Sequence, residues 1–538
     1  IKNHENELLD ALYKDLGKSK VEAYATEIGM LLKSIKLMRK ELKNWSKTKQ
    51  TDTPLYLFPT KSYIKKEPYG TVLIIGPFNY PVQLVFEPLI GAIAAGNTAI
   101  VKPSELTPHV AIVIRDIIED TFDEAYVSVV EGGIEETQTL LSLPFDYIFF
   151  TGSEKVGKIV YEAAARKLIP VTLELGGKSP VIVDDTANIK VASERISFGK
   201  FTNAGQTCVA PDYILVQRKV KNDLIKALKK TITEFYGENI EKSPDFGRIV
   251  NQKHFNRLND LIQIHKDNVV FGGNSSKEDL YIEPTLLDNI TNDNKIMKEE
   301  IFGPILPIIT YDNFDEVLEI IQSKSKPLSL YLFSEDENMT HRVLEELSFG
   351  GGAINDTLMH LANPNLPFGG VGSSGIGQYH GKYSFDTFSH MKSYTFKSTR
   401  LESSLFFPPY KGKKLVLPTQ RERKRIDTVP KKCVSFKIQN FEKVKTKNKR
   451  IMKLTQDQIS EFIAEMTRSP KGLQELCSMI MNALMKGERK LWQEEQNEAA
   501  NGFRPRRIRY KGLEFALKVP RTREGGFYPT LLAVLRDE

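Results

Sequence analysis

At 538 residues the chain is too long for one compact domain and implies several units, each with its own core. The net charge of +7 is unevenly spread: residues 1–410 hold 45 Lys and Arg against 53 Asp and Glu, whereas residues 411–538 hold 30 against 15. Three cysteines without paired spacing argue against a disulfide framework or a zinc site, and the longest apolar stretch, near Leu89, is too interrupted to span a bilayer; a reducing, cytoplasmic setting is expected, with no membrane segment.

The opening stretch LLDALYKDLGKSKVEAYATEIGMLLKSIKLMRKELKNW repeats apolar residues at helical spacing. It predicts two amphipathic helices, the first ending at Gly17. Because the chain opens at Ile1 already inside this pattern, a missing start is expected. From Thr71 short β-rich runs (TVLIIG, TAIVKP, YVSVVEG, YIFFTG, VTLELGG, PVIVDD) alternate with helical segments, which predicts a mostly parallel sheet covered on both faces. After Cys208 the runs YILVQR, PILPIITY and LSLYLFSE predict a second α/β lobe, with the crevice between lobes as the natural ligand site. Residues 411–450, with 15 basic and 3 acidic residues, read as an exposed linker. Amphipathic helices are predicted from about Met452, with Ser469 and Pro470 marking a helix start.

Cys208 stands in FTNAGQTCVAP among small and polar residues. An isolated cysteine is more often a buried structural thiol, but a turn that opens a helix would favour its thiolate through unpaired backbone N–H groups. Glu174, in LELGGKSP, ends an apolar run before two glycines. Alone it reads as a solvated or lysine-paired carboxylate; beside a nucleophilic cysteine it reads as a base for water, its pKa raised by partial burial. Asn79, in GPFNYPVQL between Pro77 and Pro81, is either a turn former or an amide donor for an oxyanion.

These fragments resemble the aldehyde dehydrogenase superfamily. Six motifs occur in the family order, GPFNYPVQL, VKPSELTP, FFTGSEKVG, LELGGKSP, FTNAGQTC and EEIFGP, and the run INDTLMH followed by LPFGGVGSSGIGQYHGKYSFDTFSH is similar to the class 3 branch of fatty and aromatic aldehyde dehydrogenases. The likeness spans about residues 1–415. It implies a two-lobed α/β fold: a Rossmann-like NAD-binding lobe over residues 1–174, including the N-terminal helices and a β segment near 51–68, then a catalytic lobe over 175–350 and a bridging, oligomerising part over 351–410. It implies a homodimer and an aldehyde substrate, aliphatic of medium or long chain or aromatic. Cys208 would attack the aldehyde and Asn79 with the Cys208 N–H would hold the oxyanion. Hydride would leave the thiohemiacetal for the nicotinamide, and Glu174 would activate water to hydrolyse the thioester. Coenzyme A is the alternative acceptor, with the presence of Glu174 favouring water.

For the cofactor, the resemblance implies a G-S-x-x-x-G turn at Gly152, Ser153 and Gly157 facing the pyrophosphate. Lys102 and Glu105 would reach the adenosine ribose, Gly176 would lie along the nucleotide, and Glu300 with Phe302 would hold the nicotinamide ribose. A carboxylate at Glu105 favours NAD over NADP, though class 3 members often accept both. No metal constellation is expected, since the eight histidines are scattered.

Residues from about 452 to 538 resemble the N-terminal part of a mutator-type transposase, on an arginine-rich turn and the string VPRTREGGFYP. With no room for the metal-holding acidic residues of such enzymes, the tail reads as a truncated, mainly helical basic appendage. Nucleic acid is a partner only through it, by way of Arg504, Arg506, Arg507 and Arg509 on phosphate, with the dehydrogenase part then a carrier. The bland alternative is a solvated basic face on an incomplete fragment.

Overall fold

The computed structural model describes residues 1–54, 57, 60–399 and 407–408, together with the backbone of two later strands, Ala500–Tyr510 and Leu513–Thr522. Close contacts group the chain into two units, Ile1–Lys413 and Lys414–Glu538.

The N-terminal helical pattern folds as helix Glu5–Leu16, stopped by Gly17 in the left-handed conformation. A run of helix then follows without a second break: Lys20–Ala23, a wide π turn Tyr24–Ile28, and Gly29–Trp45. The sequence period registers the two flanking helices and misses the π turn, because one added residue in a turn leaves little mark on a 3.6-residue repeat.

The first sheet has six strands, in the order Gly375–Ile376, Val171–Glu174, Tyr147–Thr151, Thr71–Ile75, Thr98–Lys102 and Val127–Val129. All pairs are parallel except the first, where the returning Gly375–Ile376 strand runs antiparallel and sets Gly375 opposite Glu174. Their near-continuous apolar sequences suit strands covered on both faces. Helix Gln83–Ala95 is apolar on nearly all sides and buried along most of its length, as a helix wedged between sheet and neighbours must be.

Parallel strands deliver their carboxyl ends to one edge. Ile75, Lys102, Thr151 and Glu174 each end a strand there, and the loops that follow carry Asn79, Glu105, Gly152 and Gly176.

The chain leaves Glu174 through Leu175–Ser179 and enters a seven-stranded sheet. Its order is Val269–Phe271, Thr285–Leu287, Ile305–Tyr311, Tyr213–Gln217, Pro180–Val183, Ser329–Phe333 and Gly351–Ile354. All its pairs are parallel but the first. A large apolar core fills both faces of this sheet. A third sheet joins Lys49–Thr51, Lys61–Pro68 and Ser389–Phe396, all antiparallel, so the C-terminal strand of this unit returns to the first hundred residues.

In the second unit the described strands Ala500–Tyr510 and Leu513–Thr522 form an antiparallel hairpin. This corrects one expectation for the tail: the arginine-rich segment lies on a strand and not in a turn. The two runs, of eleven and ten residues, are separated in sequence only by Lys511–Gly512, a spacing short enough for adjacent antiparallel strands. The helices expected from about Met452, including the start at Ser469 and Pro470, and the linker 411–450 lie outside the described residues.

Candidate active site

Cys208 does not open a helix. The chain approaches it through three consecutive left-handed residues, Asn203, Ala204 and Gly205, at φ of 53°, 51° and 74°, and leaves it through a turn into strand Tyr213–Gln217. No helix N-terminus favours a thiolate here. Burial pushes the Cys208 thiol up to about 12, with the charges of Glu300 and Glu174 adding to the rise and the backbone N–H groups of Cys208 and Val209 opposing it. The expectation of a thiolate-favouring turn is therefore corrected. The cause is non-local, since both carboxylates reach the thiol from other segments.

Glu174 is buried, and neither of its carboxylate oxygens has a hydrogen-bond partner among the described residues. Desolvation without compensation holds its pKa well above the usual carboxylate range. Its register partner on the neighbouring strand is Thr151, whose hydroxyl is also buried and unpaired.

Asn79 is buried in the loop between strand Thr71–Ile75 and helix Gln83–Ala95. Its carbonyl accepts two hydrogen bonds, from the Lys18 ammonium at 2.9 Å and from the Asn203 side-chain amide at 2.8 Å. The next residue, Tyr80, meets the Thr207 hydroxyl at 2.7 Å, one residue before the cysteine. The Asn79 loop and the Cys208 loop are thus tied together directly.

The Glu300 loop closes on the same place. A side chain at Gly176 would collide with the Glu300 carboxylate, and one at Gly205 would collide with the Gly303 carbonyl. Glu300 is raised to about 8 by burial and by Asp212, against the Gly177 N–H and the cations Lys178 and Arg257. Phe302 adopts a left-handed backbone, φ 48°, and sets its ring 5.7 Å from that of Phe78, the neighbour of Asn79. Lys178 anchors this loop by pairing with Asp212 and bonding the carbonyls of Ile296 and Glu299 at 3.0 and 2.9 Å. Asp212 in turn accepts the Ile301 N–H at 2.9 Å.

On the other side of Glu174, Ser153 is the N-cap of helix Glu154–Ala165 and accepts the Val156 N–H. Gly157 lies where a side chain would strike Leu175, so helix and strand approach closely. Lys102 and Glu105 pair at 2.9 Å, with Lys102 buried and Glu105 exposed. Glu105 lines a cleft of about 220 Å³ with Pro103, Ser104, Ile112, Glu131 and Gly132.

Sequence reasoning missed Lys18, Glu22 and Glu27, whose positions in the N-terminal helical pattern give no sign that their side chains reach the active-site loops. Asn203 and Thr207 stood inside the FTNAGQTC motif and were passed over for the thiol. Among the described residues no group of His, Cys, Asp and Glu could hold a metal ion, and no helix is long and apolar enough to cross a membrane.

Comparison with known proteins gives the class: the model of the aldehyde dehydrogenase family matches residues 1–394, and the chain belongs to that family. It is an enzyme that oxidises aldehydes to acids. It is 75% identical over 413 residues to the 4,4'-diaponeurosporen-aldehyde dehydrogenase of Staphylococcus aureus (strain NCTC 8325 / PS 47), covering 77% of this chain and 90% of that one. Aldehyde dehydrogenase family 3 member A2 of Mus musculus is 46% identical over 411 residues, 76% of this chain and 84% of that one, which sets the chain close to class 3. Among solved structures, the substrate-bound state of Staphylococcus aureus AldH superposes with a TM-score of 0.76 at 74% identity, covering 77% of this chain and 90% of that one. An NAD-dependent aldehyde dehydrogenase from Sinorhizobium meliloti superposes at 0.68 with 27% identity, covering 74% and 80%. The family match ends at residue 394, so it lends the transposase resemblance of the tail no support.

Proposed function

We propose that the chain oxidises a long, apolar aldehyde of the diaponeurosporenal kind, with Cys208 as nucleophile, Glu174 as base and Asn79 as oxyanion donor. The observation that carries the roles is the buried Glu174 carboxyl, both oxygens without a hydrogen-bond partner among the described residues, whose charge is felt at the Cys208 sulfur. A carboxyl with a raised pKa and spare acceptor capacity is suited to take a proton from water. In this reading the Cys208 thiol gives up its proton to water as its sulfur adds to the aldehyde carbon, while the Asn79 amide and the Cys208 N–H steady the oxygen. Glu174 later takes a proton from the water that attacks the thioester, and carboxylic acid leaves with the sulfur restored.

The residues present fit a nicotinamide nucleotide, NAD in preference and NADP as the alternative. A capped helix N-terminus at Ser153, with Gly152 and Gly157 beside it, can face a pyrophosphate, and the Glu105 cleft offers a carboxylate to a ribose. Lys102 would share the adenosine side, and Glu300 and Phe302, next to Gly176, the nicotinamide side. When bound, the nucleotide supplies the hydride acceptor.

The substrate class rests on the 75% identity to a relative named for that aldehyde. It is tested by comparing kcat/KM for 4,4'-diaponeurosporenal, a straight-chain fatty aldehyde and benzaldehyde; a clear preference for benzaldehyde would overturn it. The division at residues 174, 350 and 410, a cytoplasmic location and a homodimer belong to the same reading, the last checked by light scattering. For the tail, duplex DNA contact through Arg504, Arg506, Arg507 and Arg509 predicts binding that weakens steeply with salt and vanishes when residues 411–538 are deleted. Equal binding by the shortened chain would remove the tail from the account.

A further inference from the structure

Lys18 and Glu27 form an ion pair at 2.6 Å in which neither side chain is exposed at all. Such a pair is expensive to bury and is a weak source of stability, since well-packed apolar residues often do as well. Its placement suggests what it does instead.

Each partner spends its remaining hydrogen bonds on the loop that carries Asn79. Lys18 bonds the Asn79 carbonyl at 2.9 Å and sets its ammonium 4.0 Å from the centre of the Tyr80 ring. The second oxygen of Glu27 accepts the N–H groups of Val82 and Gln83, at 2.8 and 3.2 Å, and so caps the helix that follows Asn79. The π turn Tyr24–Ile28 contains Glu27, and such turns redirect side chains at functional sites.

A second arm reaches the cysteine loop. Glu22 accepts the Asn203 N–H at 2.9 Å, and the Asn203 amide bonds the same Asn79 carbonyl and the Gln206 carbonyl, at 2.8 and 3.1 Å. Asn203 and Ala204 are two successive non-glycine residues in the left-handed region, a strained turn that persists only where its surroundings hold it. The Tyr80 to Thr207 contact closes the ring one residue from Cys208.

We propose that Lys18, Glu22 and Glu27 form a clamp that positions Asn79 against Cys208, with Asn203 as the joint between the two loops. They are positioning residues: their contacts run to the backbone of the reacting loops. Two donors on one carbonyl fix the plane of the peptide after Asn79, and with it the direction in which the Asn79 side chain leaves the chain. An oxyanion donor misplaced by about 1 Å loses much of its value, which is why a rigid support matters there. The inference rests on the reading of Asn79 as oxyanion donor.

The test is a double-mutant cycle. Lys18→Met with Glu27→Gln removes both charges of the pair together. Asn203→Gly removes the amide while keeping a residue that adopts the left-handed turn, so it serves if the first variant does not fold. Each is expected to lower kcat about tenfold or more, with KM for the nucleotide unchanged. In an Asn79→Ala background, itself about a hundredfold slower, each is expected to lower kcat less than about twofold further. Losses that multiply in full, an unchanged kcat, or a rise in KM alone would overturn the clamp. An Asn79→Ala variant that keeps full kcat would instead overturn the reading of Asn79, so the two failures are distinguishable.

Discussion

The backbone N–H of Gly152 donates to the carbonyl oxygen of Glu174 at 3.0 Å, across the ends of neighbouring parallel strands. The turn that fits a nucleotide phosphate and the carboxyl that fits a general base are thereby fixed to each other at the level of the backbone. Side-chain chemistry at either place can be altered without moving the other.

Glu174→Gln should therefore leave the turn and the cysteine in place and remove only the proton acceptor. A burst of NADH about equal to the enzyme concentration, followed by steady turnover lowered about a hundredfold or more, is expected in rapid-mixing experiments. Steady turnover at the wild-type rate would mean that another group deprotonates water.

Cys208→Ala should abolish NADH formation while leaving the melting temperature within a few degrees, because the residue is half-buried and loses only one sulfur atom. Residual turnover above background would remove Cys208 as the nucleophile.

The Cys208 thiol, held up to about 12 with Glu300 as the leading charge after burial, should ionise more readily once that charge is gone. Glu300→Gln is expected to speed iodoacetamide labelling of the Cys208 peptide several-fold at about pH 9, where Glu300, at about 8, is ionised in the wild type. Below about pH 6 Glu300 is protonated in the parent and the two rates should converge. Mass spectrometry separates this cysteine from Cys433 and Cys477.

Gly176→Ala places a methyl group against the Glu300 carboxylate, the free end of a flexible side chain. The carboxylate can swing away at small cost to the fold. The expected result is a KM for NAD raised about tenfold with a melting temperature nearly unchanged. An unaltered KM would separate Glu300 from nucleotide binding.

Glu87, buried in helix Gln83–Ala95 with the Ser34 hydroxyl on its carboxylate, has its pKa raised to about 7 by burial. A carboxyl raised from 4.5 to about 7 in the folded state binds more protons folded than unfolded. Its contribution to stability is full below about pH 4.5 and is lost as the pH rises through 7, a penalty of about 3 kcal/mol at alkaline pH. Glu87→Gln should raise the melting temperature at about pH 8.5 by several degrees relative to its effect at about pH 5. Equal shifts at both pH values would show that Glu87 does not change its charge on unfolding.

Much of this protein was legible in its sequence because the signals are local. The strand runs TVLIIG and YIFFTG are nearly continuous apolar stretches rich in β-branched and aromatic residues, which suits parallel strands covered on both faces. Gly17 ends its helix because it alone relieves the left-handed conformation there. Cys208, Glu174 and Asn79 stood out as residue types in short motifs, and the family they belong to followed from the order of those motifs.

Only the tertiary structure decided what surrounds them. The Asn203 amide meets the Asn79 carbonyl across 124 positions of sequence, and Glu22 reaches Asn203 across 181. The raised pKa of Cys208 comes from burial and from carboxylates delivered by two other segments, where the local sequence had suggested a helix N-terminus and a stabilised thiolate. Desolvation and charge act through space, so they depend on which segments the fold stacks at one sheet edge. A one-dimensional pattern specifies the periodicity of each segment and leaves those neighbours to the packing of the whole.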